Sequence, residues 1–122
     1  MAVDKVRSAS GGKSTWCTEK QTGPNVLNLT YRTNPPLPED LWIWGWQAVA
    51  HGIKGISYYM WRPTPSGLEE TGHGLANLNG SINERCREIA RFGAVLHKYA
   101  HLFINSNPVP AEVAIYHSPR AK

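Results

Sequence analysis

Two places in this sequence carry side chains suited to chemistry. Glu19 stands at the end of the stretch Ser14-Thr15-Trp16-Cys17-Thr18, with Gln21 two residues on. The stretch Ile56-Ser57-Tyr58-Tyr59-Met60-Trp61 runs into Arg62-Pro63 and then into Glu70-x-x-His73. A carboxylate at a strand tip is held rigidly, as a nucleophile or a general base must be. Read from the residues alone, each has a plainer alternative. Glu19 can end its strand and solvate the next loop, Glu70 and His73 can belong to an ordinary polar loop, and Trp61 can be core.

The elements that would position these groups alternate in type. Asp4-Lys5-Val6-Arg7 reads as the tail of a helix stopped by Gly11-Gly12. Ser14–Thr18 is short, β-branched and aromatic, as in a buried strand. Residues 20–38, with Gly23-Pro24, Asn34-Pro35-Pro36 and Pro38, predict a long irregular connection. Pro38-Glu39-Asp40 opens a helix over Leu41–His51 that stops at Gly52 and, with Trp42, Ile43, Trp44 and Trp46, is apolar almost all round. A second strand follows over Ile56–Trp61, then irregular chain over Thr64–Gly80. Ser81-Ile82-Asn83-Glu84 has the form of a capping box. The helix it opens places apolar or small residues at 82, 86, 89, 93, 96, 100 and 103. Glu112–Tyr116 predicts a third strand. The order β, α, β, α, β signals an α/β protein with a parallel sheet, whose functional loops follow the C-terminal ends of the strands. Both long irregular stretches do so.

Composition narrows the function classes. The 122 residues are 41% hydrophobic and 18% charged, which fits a globular protein rather than a disordered segment. The net charge of +4 is spread out: residues 1–38 carry five basic residues against two acids, 39–80 two against four, and 81–122 six against three. Phosphate binding favours a clustered basic stripe interleaved with aromatics, whereas here the aromatics concentrate in the acidic middle, so no nucleic-acid partner is expected. No apolar run reaches the ~18–20 residues of a membrane helix, and Met1–Lys13 lacks a signal-peptide core; a cytoplasmic protein without a membrane partner is expected. Cys17 and Cys86 read as free thiols. Neither they nor the five histidines have metal-ligand spacing, and the absence of G-x-G-x-x-G after either strand argues against a dinucleotide. No metal or cofactor is expected. Asn28-Leu29-Thr30 and Asn79-Gly80-Ser81 match the glycosylation sequon by chance.

Four motifs, in order, carry a resemblance. Trp16-Cys17-Thr18-Glu19-Lys20-Gln21-Thr22-Gly23-Pro24 resembles the strand-seven segment of glycoside hydrolase family 42, chiefly bacterial β-galactosidases: an apolar strand, then Glu-x-Gln-x-Gly-Pro. Trp46-Gln47-Ala48-Val49-Ala50-His51-Gly52 is similar to the family's helix seven, Gly55–Arg62 to its strand eight, and Glu70-Thr71-Gly72-His73-Gly74-Leu75 to the loop that follows. The resemblance implies the C-terminal portion, strands seven and eight with helices, of a TIM (β/α)₈ barrel over residues 1–104. Residues 105–122 would then be a linker and the first strand of a following α/β domain that helps build a homotrimer in the parent enzyme. It also implies a retaining hydrolase of terminal β-galactosides, with Glu19 as the nucleophile, Trp61 as the aromatic floor under the galactosyl ring, and Glu70 and His73 binding its hydroxyls. The acid/base carboxylate of the family stands on strand four, which lies outside these residues, so the chain alone is expected to be inactive. Departures from the family occur at Val26-Leu27-Asn28, where an aromatic is common, and at Trp42, where Arg is frequent. A reading from a different class is a non-enzymatic α/β module that binds a carbohydrate or a protein.

Overall fold

The computed structural model describes residues 2–27, 31–116 and 118. The sequon at Asn28 falls outside them. Along the chain run α1 (Ala2–Ala9), β1 (Thr15–Gln21), β2 (Val26–Leu27), β3 (Tyr31–Arg32), α2 (Pro38–Ala50), β4 (Ile53–Tyr59), α3 (Glu84–Lys98) and α4 (Ala100–Asn105). β1 and β4 pair in parallel, with Thr15 opposite Ile53 and Gln21 opposite Tyr59, and the register shifts between Cys17 and Lys20. The expected α/β character is therefore present. β2 and β3 form a small antiparallel ribbon inside the connection expected to be irregular.

β4 begins three residues earlier than the sequence suggests and ends before Trp61. Lys54-Gly55 looks like a turn, but Gly55 pairs with Trp16 in the ladder. A Cβ on Gly55 would come within 2.6 Å of the Trp16 indole, so the glycine serves close approach between strands. The same contact places Trp16, 65% exposed, on the sheet face away from the groove that β4 forms with α3.

α2 starts as expected: Pro38 occupies its first turn and the Asp40 carboxylate accepts a hydrogen bond from the Leu37 amide at 2.9 Å. Only one stripe of it is covered. Leu41, Gly45 and Ala48 are buried while Ile43 is 53% exposed, so the helix is less enclosed than its composition implied. Gly45 makes room for the Phe92 ring, which a Cβ there would meet at 2.9 Å. Phe92 packs edge-on to Trp46 and Trp42, with centroids 5.2 and 6.2 Å away. Leu41, Leu75, Ala76 and Cys86 form the buried cluster beside Trp44 and Ile89.

Three expectations are corrected at the C-terminal side. Asn83, rather than Ser81, caps α3: its side-chain oxygen accepts from the Cys86 amide at 3.1 Å. Its amide group also donates to the Leu75 carbonyl at 2.7 Å, so one side chain serves the helix and the preceding loop together. Ser81 instead bonds Asn79 and Asn77, and Glu84 pairs with Arg87. The apolar stripe is also rotated, since Phe92 is 3% exposed whereas Gly93 is open. Residues 112–116 form no strand. Val113, Ile115 and Tyr116 are 80–93% exposed, because a strand needs a ladder partner and among the described residues the sheet consists of β1 and β4.

Candidate active site

Thr22, just past β1, is fully buried, and its hydroxyl faces three carbonyl oxygens: His73 at 2.6 Å, Tyr59 at 3.0 Å and Met60 at 3.3 Å. Those carbonyls belong to the end of β4 and to the loop after it. The same loop lies along residues 60–61: the Met60 amide donates to the His73 carbonyl at 3.0 Å, Leu75 donates to Met60 at 2.8 Å, and Ala76 donates to Trp61 at 2.8 Å. His73 also donates its amide to the Pro24 carbonyl at 2.8 Å. A Cβ on Gly23 would approach the Gly74 backbone to 2.6 Å, which explains why glycine stands there. Both Thr71 and His73 have positive φ, 56° and 57°, the left-handed region that few residues besides glycine adopt and that is costly above all for the β-branched Thr71. This dense backbone network over-determines the loop and holds it in that conformation.

The network places one end of the parallel sheet next to the loop. A cleft of about 280 Å³ there is lined by Glu19, Gln21, Asn25, Tyr59, Glu69 and His73. Glu19 and His73, chosen from the sequence, therefore meet in one cavity, although 54 positions separate them in the chain (73 minus 19). Glu19 sits inside β1, two residues before its end, and is exposed. Gln21 turns its amide onto the Gly23 carbonyl at 3.0 Å, which shapes the start of the loop.

Trp61 and Glu70 are not among the residues lining this cleft. Trp61 is 57% exposed, so it is not core. Glu70 is held by its backbone: the Arg32 guanidinium donates to its carbonyl at 3.0 Å and also reaches the Thr71 hydroxyl. Glu70 is exposed, as is its neighbour Glu69.

Tyr59, Glu69 and Thr22 are contributors that sequence reasoning missed. The Tyr59 hydroxyl donates to Glu69 Oε2 at 3.0 Å, and the Tyr59 ring lies 5.7 Å from the His73 ring. That hydrogen bond, then burial and the charges of Glu69 and Glu19, pushes Tyr59 ionisation above the usual phenol range. Strand alternation from Gly55 would have placed Tyr59 on the open face with Trp16, so the signal for it was present. Nothing in the sequence separates Glu69 from Glu70. Among the described residues no group of three or more metal-ligating side chains comes together, and no helix is long and apolar enough to cross a membrane.

Comparison with known proteins agrees with these motifs. A family model described as beta-galactosidase, of glycoside hydrolase family 42, matches residues 1–99. The chain is 30% identical over 119 residues, 96% of its length, to the beta-galactosidase BgaH of Haloferax lucentense, and 37% identical over 60 residues, 49% of its length, to a beta-galactosidase of Thermus thermophilus. It spans only 16% and 9% of those two relatives. Among solved structures, the beta-galactosidase of the psychrophilic Marinomonas ef1 superposes with a TM-score of 0.65 at 28% identity, over 82% of this chain and 15% of that one. A haloarchaeal beta-galactosidase from Halorubrum lacusprofundi gives 0.64 at 24% identity, over 88% and 14%, a likeness of fold.

Proposed function

The chain belongs to glycoside hydrolase family 42, the β-galactosidases, and from that premise we propose that it is the strand-seven and strand-eight segment of a retaining enzyme acting on terminal β-galactosides, with Glu19 as its nucleophile. The observation that carries this reading is the meeting of Glu19 and His73 in one cleft at the C-terminal ends of two parallel strands. Loops at the C-terminal ends of barrel strands are where such sites are built.

The chemistry follows from the carboxylate. Glu19 attacks the anomeric carbon as the aglycone oxygen leaves, giving a glycosyl ester, and water then cleaves that ester to release the sugar with its configuration retained. The leaving oxygen needs a proton, which a second carboxylic acid supplies from about 5–5.5 Å away. The resemblance assigns that acid to strand four, a part of the barrel these residues do not contain. His73, fixed by its backbone, and Glu70, on the same loop, take the sugar hydroxyls; Trp61, exposed beyond β4, supplies an apolar face. No cofactor enters the mechanism. Residues 105–122 form the passage to the next domain of a trimeric, cytoplasmic parent enzyme.

Without the proton donor, the chain should not turn over a nitrophenyl β-galactoside at a rate expected of the family. A fluorinated galactosyl donor whose dinitrophenolate leaving group needs no protonation should still label Glu19, seen as a mass shift on its peptide and absent from Glu19→Gln. Labelling that persists in Glu19→Gln refutes the nucleophile, and robust turnover by the chain alone refutes the reading that the proton donor is missing.

A further inference from the structure

We infer that Tyr59 and Glu69 together form a specificity wall of hydrogen-bond acceptors, which reads two adjacent hydroxyls of the pyranoside bound over Glu19. This rests on the galactoside reading above and adds two residues to it. Both side chains line the cleft that contains Glu19 and His73. The Tyr59 hydroxyl has one proton and gives it to Glu69 Oε2 at 3.0 Å. Glu69 keeps Oε1, and the Tyr59 oxygen keeps lone pairs, so the pair presents acceptors and no donor. A ligand satisfies it only by donating, and vicinal sugar hydroxyls, spaced at about hydrogen-bond distance, suit two acceptors already joined by one hydrogen bond.

Glu69 is held from several directions. Its carbonyl accepts from the Thr64 hydroxyl at 3.0 Å and from the Gly72 amide at 3.0 Å, and Thr64 and Glu70 form a bridge across the loop. Tyr59 is fixed at the end of β4 opposite Gln21, with its ring against His73. The acceptors are therefore preorganised, which is how a polar site rejects a ligand lacking the matching hydroxyl. The raised pKa of Tyr59 agrees, because the hydrogen bond to Glu69 holds the phenol proton and, with burial, the charges of Glu69 and Glu19 disfavour a phenolate.

The test is binding of methyl β-galactoside and its monodeoxy analogues to the 122-residue chain, followed by calorimetry and saturation-transfer NMR. Glu69→Gln should weaken the galactoside by about tenfold or more, the loss expected for a hydrogen bond to a charged acceptor. Tyr59→Phe should weaken it less. One deoxy analogue should bind wild type about tenfold more weakly than the galactoside does, and that difference should vanish in Glu69→Gln. Glu84→Gln, on the outer face of α3, should change nothing. A sugar-free measurement checks the pair itself: in ultraviolet titration, Glu69→Gln should let the tyrosine that Tyr59→Phe removes ionise at lower pH.

If wild type binds and labels at Glu19 while Glu69→Gln binds equally well, this inference falls and the galactosidase reading stands. An unchanged tyrosine titration also overturns the pair. A wild type that neither binds nor labels overturns both.

Discussion

Thr22 shares one proton among three carbonyls, and through them it joins the end of β1 to the end of β4 and the His73 loop. Replacing it by valine keeps the shape and removes the donor. The His73 and Met60 carbonyls keep the Met60 and Leu75 amides as donors, so the loss is that of a buried hydrogen bond, about 0.5–1.5 kcal/mol. Thr22→Val should lower the unfolding free energy by that amount, seen as a lower denaturant midpoint, and weaken the galactoside binding proposed above, since His73 loses one of its ties. A midpoint and affinity equal to wild type would show that the Met60 and Pro24 contacts hold the loop alone. At this scale the sequence was informative about Glu19 and His73 through the motifs in which they stand, which carry the family resemblance. It was silent on Thr22, because a threonine between Gln21 and Gly23 looks like any loop hydroxyl until the carbonyls of residues far along the chain surround it.

Between elements, the contact of β4 with α3 has an imperfection. Tyr58 lies in an apolar groove with Ile56, Ile89, Phe92 and Leu96, and its buried hydroxyl has no partner among the described residues. Burial, with a smaller contribution from Cys17, pushes its ionisation up from 10.0 to about 12. The folded state therefore holds this proton more tightly than the unfolded chain does. Its contribution to stability is complete below about pH 10 and is lost as the pH rises towards 12. Tyr58→Phe should be as stable as wild type or more so, by about 1 kcal/mol at neutral pH, and should lose less stability across that alkaline window in denaturant titrations. Steeper alkaline loss in the phenylalanine variant would contradict this. The elements were legible where local signals are strong: Pro38 with two acids, the Gly52 stop, and the helical stripe near Cys86. The start of β4 was missed because Lys54-Gly55 is turn-like locally, and only the Trp16 ring opposite explains the glycine. The cap moved from Ser81 to Asn83 for a similar reason, since Asn83 reaches Leu75 as well as Cys86.

At the scale of the molecule, a two-stranded parallel sheet leaves both outer edges unpaired among the described residues. Parallel sheets are ordinarily covered on both faces. Here Trp16, Ile43, Trp61, Val113, Ile115 and Tyr116 all remain more than half exposed. Apolar surface of that extent favours self-association, so sedimentation of the 122-residue chain should show a concentration-dependent shift to larger species; a clean monomer at high concentration would count against this. The amino-acid sequence by itself determined the family, the α/β alternation and two residues of the cleft, because motif spacing, hydrophobic period and turn chemistry are local properties of a chain. Tertiary structure alone decided that Glu69 and Tyr59 share the cleft with Glu19, that Thr22 fastens the His73 loop, and that residues 112–116 stay unpaired. Each of those depends on which distant backbone or side-chain groups arrive within hydrogen-bond reach, and local pattern does not encode that.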